Sequence, residues 1–382
     1  MISHWQSSTC HLRPHTLHLE HLSLSNNIDV RTPMNKTDFK HLSYLDGWRG
    51  LAILFLLIGH FFPVRGINLG HAGVNLFFVL SGFLMARVLF LDAMAIPTFY
   101  KRRSSRIFPA VFCFIALIVC SFIMLGKPVN WTATAAAAAF INNYFPNQPD
   151  APLMPFGHIW SLCVEEHSYV LLSIVAVAAR ARLLYSTVAV GVLAALFAAA
   201  GIGYWLTYKG LYLNEARWIH SEVSAYGIFV SAFLLLAMNA RKLPRSPLIV
   251  PGLMALGFAL HWWSVPAPVR TIFGVGAFAL AVNLLKDAPR SIHLALSFRP
   301  LRQLGLWSFS IYLWQQPFYL FVLREEMSPW LGLALAAGAG ICSFYLIENP
   351  SRIYLNRKLA AKQDISSRKE AENNAPVTNI VN

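Results

Sequence analysis

Long apolar runs separated by short basic clusters make up most of this chain. A run of about 20 apolar residues matches the ~30 Å hydrocarbon core of a bilayer at a helical rise of about 1.5 Å per residue. Ten stretches are predicted to span on this basis: 47–64, 72–91, 107–126, 158–178, 185–207, 220–239, 248–264, 268–285, 303–323 and 329–348. The stretch 131–145, with its run Ala135 to Ala139, is too short to cross and is expected as a re-entrant or outer-surface helix. Lipid offers no partner to open backbone groups, so the pattern predicts an all-α fold, a polytopic transmembrane helical bundle of about ten spans. The alternating pattern of a membrane barrel is absent.

Charge placement orients the bundle. Ten spans bring both termini to one side, and with that side cytoplasmic 25 of the 31 Lys and Arg residues fall inside. Lys101, Arg102, Arg103 and Arg106 form the densest inner cluster, while Arg65, Lys127, Lys209, Arg217, Arg270 and Arg324 remain outside. The expectation is an integral protein of a bacterial inner membrane with cytoplasmic termini. The net charge of +14 is then topological, and no nucleic-acid partner is expected. Composition agrees, since 56% of residues are hydrophobic and 13% charged, against about a quarter charged in a soluble domain.

The apolar body is expected to cover 44–355, preceded by a polar extension at 1–43 and followed by a polar cytoplasmic tail at 356–382. The extension is rich in histidine (His4, His11, His15, His18, His21), a composition that can bind metal but is expected here as an unstructured leader; it lacks the apolar segment of a signal peptide and leaves Met34 as an alternative start. Cys10, Cys113, Cys120, Cys163 and Cys342 form no CxxC pair, so neither a disulfide framework nor a metal site is expected.

Ionisable residues inside spans are costly and usually face a cavity or a partner. Arg49 sits near the cytoplasmic start of the first span, and His60 follows eleven residues on, roughly 16 Å deeper. A neutral imidazole at that depth can take a proton from a hydroxyl, or can simply hydrogen-bond a neighbouring helix. The fourth span carries His158, Glu165 and Glu166; His158 and Glu165 share a face, which sets Glu165 about 10 Å inward at a depth comparable with His60. One carboxylate is expected to orient or charge-balance a histidine, unless the pair only clamps helices. The run from Phe99 to Pro109 reads as a basic loop in which Arg103 and Arg106 share a face if a helix starts there. Their guanidinium forks suit phosphate, although positive-inside anchoring alone accounts for such a run.

Taken together these elements resemble the acyltransferase-3 family of membrane acyltransferases over roughly 44–355. The resemblance lies in Tyr44-Leu45-Asp46-Gly47-Trp48-Arg49-Gly50 with His60, in Gly73 to Phe83, and in Phe99 to Pro109. It continues in His158-Ile159-Trp160-Ser161-Leu162 with Glu165-Glu166, in Tyr312-Leu313-Trp314, and in Ile347-Glu348-Asn349-Pro350. Two positions depart from the family pattern: Gln315 stands where a histidine is frequent, and Ser168 where an aromatic residue is usual. Gln315 cannot take up a proton, so no acid–base role is assigned to it. Many relatives carry an added periplasmic hydrolase-like domain, and none is expected here.

The resemblance implies transfer of an acyl group, most often acetyl from acetyl-CoA, to a hydroxyl of a carbohydrate or glycolipid. The donor's phosphates would meet Arg103 and Arg106, its pantetheine arm would thread toward His60, and His60 would act as general base with Glu165 holding the imidazole. His60, Glu165 and His158 are the candidate catalytic residues. Arg49, Arg103, Arg106 and Glu166 are the candidate residues for binding the acyl-CoA co-substrate or the acceptor. Ser81 beside Gly82 reads as helix packing rather than as a nucleophile. The rival class is a transporter or flippase for a lipid-linked saccharide, which also uses buried His and Glu. The absence of any internal repeat counts against it.

Overall fold

The structure is a computed structural model that describes residues 42–145, 152–208, 218–239 and 246–358. The extension expected at 1–43 and the tail expected at 356–382 lie almost wholly outside the described residues. Within them every regular element is helical: α1 (Ser43–Phe61), α2 (Leu69–Ala86), α3 (Ile96–Met124), α4 (Trp131–Ala138), α5 (Trp160–Arg180), α6 (Ser186–Tyr208), α7 (Ser221–Ser224), α8 (Tyr226–Met238), α9 (Ile249–Leu260), α10 (Ala267–Val269), α11 (Gly276–Leu284), α12 (Arg290–Leu296), α13 (Arg299–Leu323) and α14 (Pro329–Ser343). Wider π-helical turns extend α2 through Arg87–Leu91, precede α11 at Arg270–Val275, and follow α14 at Phe344–Glu348.

The fold is an all-α membrane bundle. Among the described residues six helical stretches are long and apolar enough to cross a bilayer: Leu69–Leu91, Ile96–Met124, Gly157–Arg180, Ser186–Tyr208, Ala267–Asp287 and Pro329–Lys358. The apolar helices α8 and α9 are shorter. α1 and α13 fall outside that set because polar residues interrupt them; Asp46, Arg49 and His60 lie on one, and Arg299, Arg302, Gln315 and Gln316 on the other. Around the outside, Leu117, Ile174, Val188, Leu196 and Leu335 present large exposed apolar side chains, which hydrocarbon tolerates and water does not.

Helix ends follow local chemistry. Asn68 caps α2 by accepting from the His71 amide at 2.9 Å, Asn130 caps α4, and Ser328 caps α14. Proline occupies the first turn of α3, α13 and α14, where its missing N–H costs nothing. α3 starts at Ile96 rather than at the predicted 107, so the basic run is helix and not loop. Its amphipathic spacing explains the difference: Phe99, Ser105 and Ile107 are buried while Lys101 and Arg102 point out.

α1 is the central helix, packed antiparallel to α2 and parallel to α13, with α14 antiparallel to α13. Trp48 fixes the first pair by donating its indole N–H to the Leu76 carbonyl at 3.0 Å. Close approach of α1 and α13 needs a residue without a side chain at Gly305, where an added Cβ would stand 1.8 Å from the Asp46 carbonyl oxygen. Two ends of the bundle result, one marked by Arg49, Arg103 and Arg106 and the other by His60. Replacing Gly305 by alanine is therefore expected to destabilise the bundle by at least the ~1–3 kcal/mol of core overpacking. Gly203→Ala on α6, where an added Cβ meets nothing within 4 Å, should leave the thermal unfolding midpoint in detergent unchanged or raised.

Candidate active site

At the arginine end a cavity of about 140 Å³ lies between α1, α2, α3, α5 and α13. Its polar centre is Arg103, which α3 projects toward two adjacent carboxylates of α5. The Arg103 Nη2 donates to Glu165 Oε2 at 3.0 Å and its Nε donates to Glu166 Oε1 at 2.7 Å. Glu165 also accepts from the Ser81 hydroxyl at 2.8 Å and from the Tyr169 phenol at 3.0 Å. The guanidinium carbon stands 3.8 Å from the centre of the Tyr169 ring, a cation–π contact strengthened by the lack of water. Both lone-pair faces of Glu165 are thus engaged, as a charge held away from water requires.

The other two arginines of the cavity also have carboxylate partners. Arg49 donates to Asp46 at 3.0 Å, and Arg106 Nε lies 3.5 Å from Glu348 Oε1, whose other oxygen accepts from Ser310 at 2.8 Å. Three guanidinium groups therefore face four carboxylates, and the region is not the cationic mouth that the basic run alone implies. Arg106 remains the most exposed of the three, with a third of its side chain accessible, and Lys101 and Arg102 lie exposed one turn away.

His60 does not line this cavity and is not bonded to Glu165. Its Nδ1 lies 2.9 Å from the carboxamide oxygen of Gln315, a fully buried residue of α13, and its ring stacks on Tyr319 at 4.4 Å. A carbonyl oxygen only accepts, so Nδ1 carries the proton and Nε2 is left with a free lone pair. That nitrogen faces the bare Cα of Gly70, where an added Cβ would sit 3.3 Å from it. Gln315, to which no acid–base role was assigned, occupies the orienting position expected of Glu165. The residue type concealed this, because an amide orients an imidazole as a carboxylate does but does not titrate.

His158 lies between the two regions. It is buried, with its ring edge-on to Phe114 at 5.6 Å and 5.3 Å from the Tyr312 ring, and neither ring nitrogen makes a full hydrogen bond. Tyr312 donates its phenol to the His158 carbonyl at 2.5 Å and, with its one hydrogen so committed, accepts from Ser161 at 2.7 Å. Tyr312, Gln315 and Tyr319 occupy one face of α13 at helical spacing. They form a polar ladder from the arginine cavity, which Tyr312 lines, to His60. Among the described residues no group of three His, Cys, Asp or Glu side chains is placed to hold a metal ion.

The structure thus gathers Arg49, Arg103, Arg106, Glu165 and Glu166 at one end and His60 at the other, with His158 between them and α13 joining the two. Comparison with known proteins identifies the chain. A protein of Komagataeibacter xylinus named as a candidate membrane-bound transacylase, BcsY, is 26% identical over 84% of this chain and 85% of its own length. The O-acetyltransferase OatA of Staphylococcus aureus is 26% identical over 74% of this chain, which spans 51% of that longer protein. No solved structure matches. The model of the acyltransferase-3 family, described as an acyltransferase domain, matches residues 42–348, and the chain belongs to that family of acyl-transferring membrane enzymes.

Proposed function

We propose that this enzyme is an O-acyltransferase that carries an acyl group, most simply acetyl, from acyl-CoA at the arginine end to a hydroxyl of a carbohydrate or glycolipid at the histidine end. The observation behind this reading is the His60–Gln315 pair, because it leaves Nε2 unprotonated and fixed in direction, as a general base requires. The acceptor hydroxyl gives its proton to His60 Nε2 as its oxygen attacks the thioester carbonyl, and the CoA thiolate leaves. His158, buried with both nitrogens short of partners, supplies a polar contact to the thioester or the pantetheine amides. The names of BcsY and OatA, a transacylase and an O-acetyltransferase, support the reaction class.

Arg103 is assigned a structural role within this scheme, since both its carboxylate partners are already engaged. The donor's phosphates meet Arg106 and the exposed Lys101 and Arg102 instead. We assign the arginine end to the cytoplasm on the distribution of Lys and Arg. A transporter requires no thioester turnover, so labelled acetyl-CoA supplied to the purified protein separates the two classes.

His60→Ala is expected to lower acetyl transfer by about 10²–10⁴-fold, the usual contribution of a general base, while donor binding measured by calorimetry persists. Gln315→Leu should lower kcat by about 2–15-fold, the worth of one neutral hydrogen bond, with little change in the donor KM. Unimpaired transfer in His60→Ala overturns the assignment. Arg103→Ala strands two buried carboxylates and is expected to cost about 3–5 kcal/mol of stability. Adding Glu165→Gln and Glu166→Gln to it should restore monodisperse protein in detergent, whereas a purely donor-binding arginine would show no such rescue.

A further inference from the structure

A second cavity, of about 370 Å³, lies beyond the first, beside the start of α2 and the π-helical turn Arg270–Val275. The two cavities share one wall residue, Phe78, whose ring packs edge-on to Trp160 at 5.8 Å. The volume falls in the usual range for small-molecule sites, and the lining has two unlike components. One is aromatic: Trp205, Trp218, Tyr226 and Trp263 surround the space. Trp218 is held in place edge-on to His71 at 5.2 Å and to Trp160 at 4.9 Å. The other is a single cation. Arg270, half-buried on the π-helical turn, makes no hydrogen bond or ion pair among the described residues, and its guanidinium lies 5.8 Å from the Trp263 ring. No Asp or Glu is among the described residues that line the cavity.

A guanidinium withdrawn from water beside apolar rings is costly without a counter-anion, and its fork matches a carboxylate or phosphate. Flat aromatic faces suit the C–H faces of a pyranose ring, and amides suit its hydroxyls. Asn68 and Asn75 provide the amides; Asn75 donates one N–H to His261 at 3.0 Å, which leaves its carbonyl free to accept. Asn68 also connects the cavity to the proposed base. An added Cβ at Gly70 would lie 3.6 Å from Asn68 Oδ1 and 3.3 Å from His60 Nε2, so both groups border the same bare backbone.

We propose that this second cavity is the acceptor subsite and that it takes an acidic saccharide, a sugar ring bearing a carboxylate or phosphate, with the ring on the tryptophans and the anion on Arg270. The proposal rests on the acyl-transfer reading only for the word acceptor; the binding site itself is argued from the cavity. A hydroxyl of a sugar so seated reaches His60 past Gly70, while the donor approaches from the other side of Phe78.

The test is calorimetric binding without acyl donor, using the full chain in phosphatidylcholine nanodiscs. The probes are a hexuronate oligosaccharide, its carboxyl-reduced neutral counterpart, and a hexose phosphate. The uronate and the hexose phosphate are expected to bind at least tenfold tighter than the neutral sugar. Arg270→Gln should bring the acidic and neutral sugars within about twofold of each other, and Arg270→Lys should retain part of the difference. Trp218→Leu should weaken acidic and neutral sugars alike, a readout that stands if Arg270→Gln fails to fold. Equal affinity for acidic and neutral sugars, or a preference that survives Arg270→Gln, overturns the proposal. So does a response to phosphatidylglycerol in place of phosphatidylcholine with none to any sugar, which would make Arg270 a lipid-headgroup anchor. Binding without any acetyl transfer would overturn the acyl-transfer reading and leave the saccharide site standing; transfer to neutral and acidic sugars with equal KM would do the reverse.

Discussion

A guanidinium and two carboxylates held away from water must satisfy one another, and this requirement ties three helices of the bundle to a single point. Arg103 on α3 reaches Glu165 and Glu166 on α5, and Glu165 reaches back to Ser81 on α2 and Tyr169 on its own helix. Apolar helix faces slide past one another at little cost in lipid, because tails are as apolar as leucine. A bidentate charge pair does not slide. The cluster therefore sets the register of α2, α3 and α5, and with it the wall of the arginine-end cavity.

α13 performs the complementary task along the bundle axis. Gly305 lets it approach α1 within backbone contact, so the side chains that follow at helical spacing are directed across the α1 face. Tyr312 is drawn to Ser161 and the His158 carbonyl, and Gln315 to His60. α1 and α13 carry too many polar groups to be stable alone in hydrocarbon, and each supplies what the other lacks. The same pairing isolates an imidazole with one nitrogen fixed as donor and the other left as acceptor.

The two cavities meet at Phe78, with unlike linings on either side. One is crowded with matched charge, while the other is aromatic and, among the described residues, carries one guanidinium. Under the proposed transfer, donor and acceptor enter from opposite sides of this division. Phe78 packed on Trp160, itself packed on Trp218, forms that partition.

Much of this was legible in the chain. Hydrophobic run length, without the alternation of a barrel, determined an all-α membrane bundle; each of the ten predicted intervals overlaps a helix, and among the described residues six helical stretches are long and apolar enough to span. The ordered motifs determined the family, and the rarity of ionisable residues inside apolar runs singled out Arg49, His60, Arg103, Arg106, His158, Glu165 and Glu166. What the sequence could not assign was partnership. Glu165 lies with Arg103 rather than His60, and Gln315 orients the histidine. The aromatic cavity gathers Asn68, Trp205, Trp218 and Arg270 from segments far apart in the chain. Spacing along one helix specifies which side chains share its face, but which face meets which depends on helix crossing, glycine-permitted approach and the matching of buried charge. Those are properties of the packed bundle, and only tertiary structure decided them.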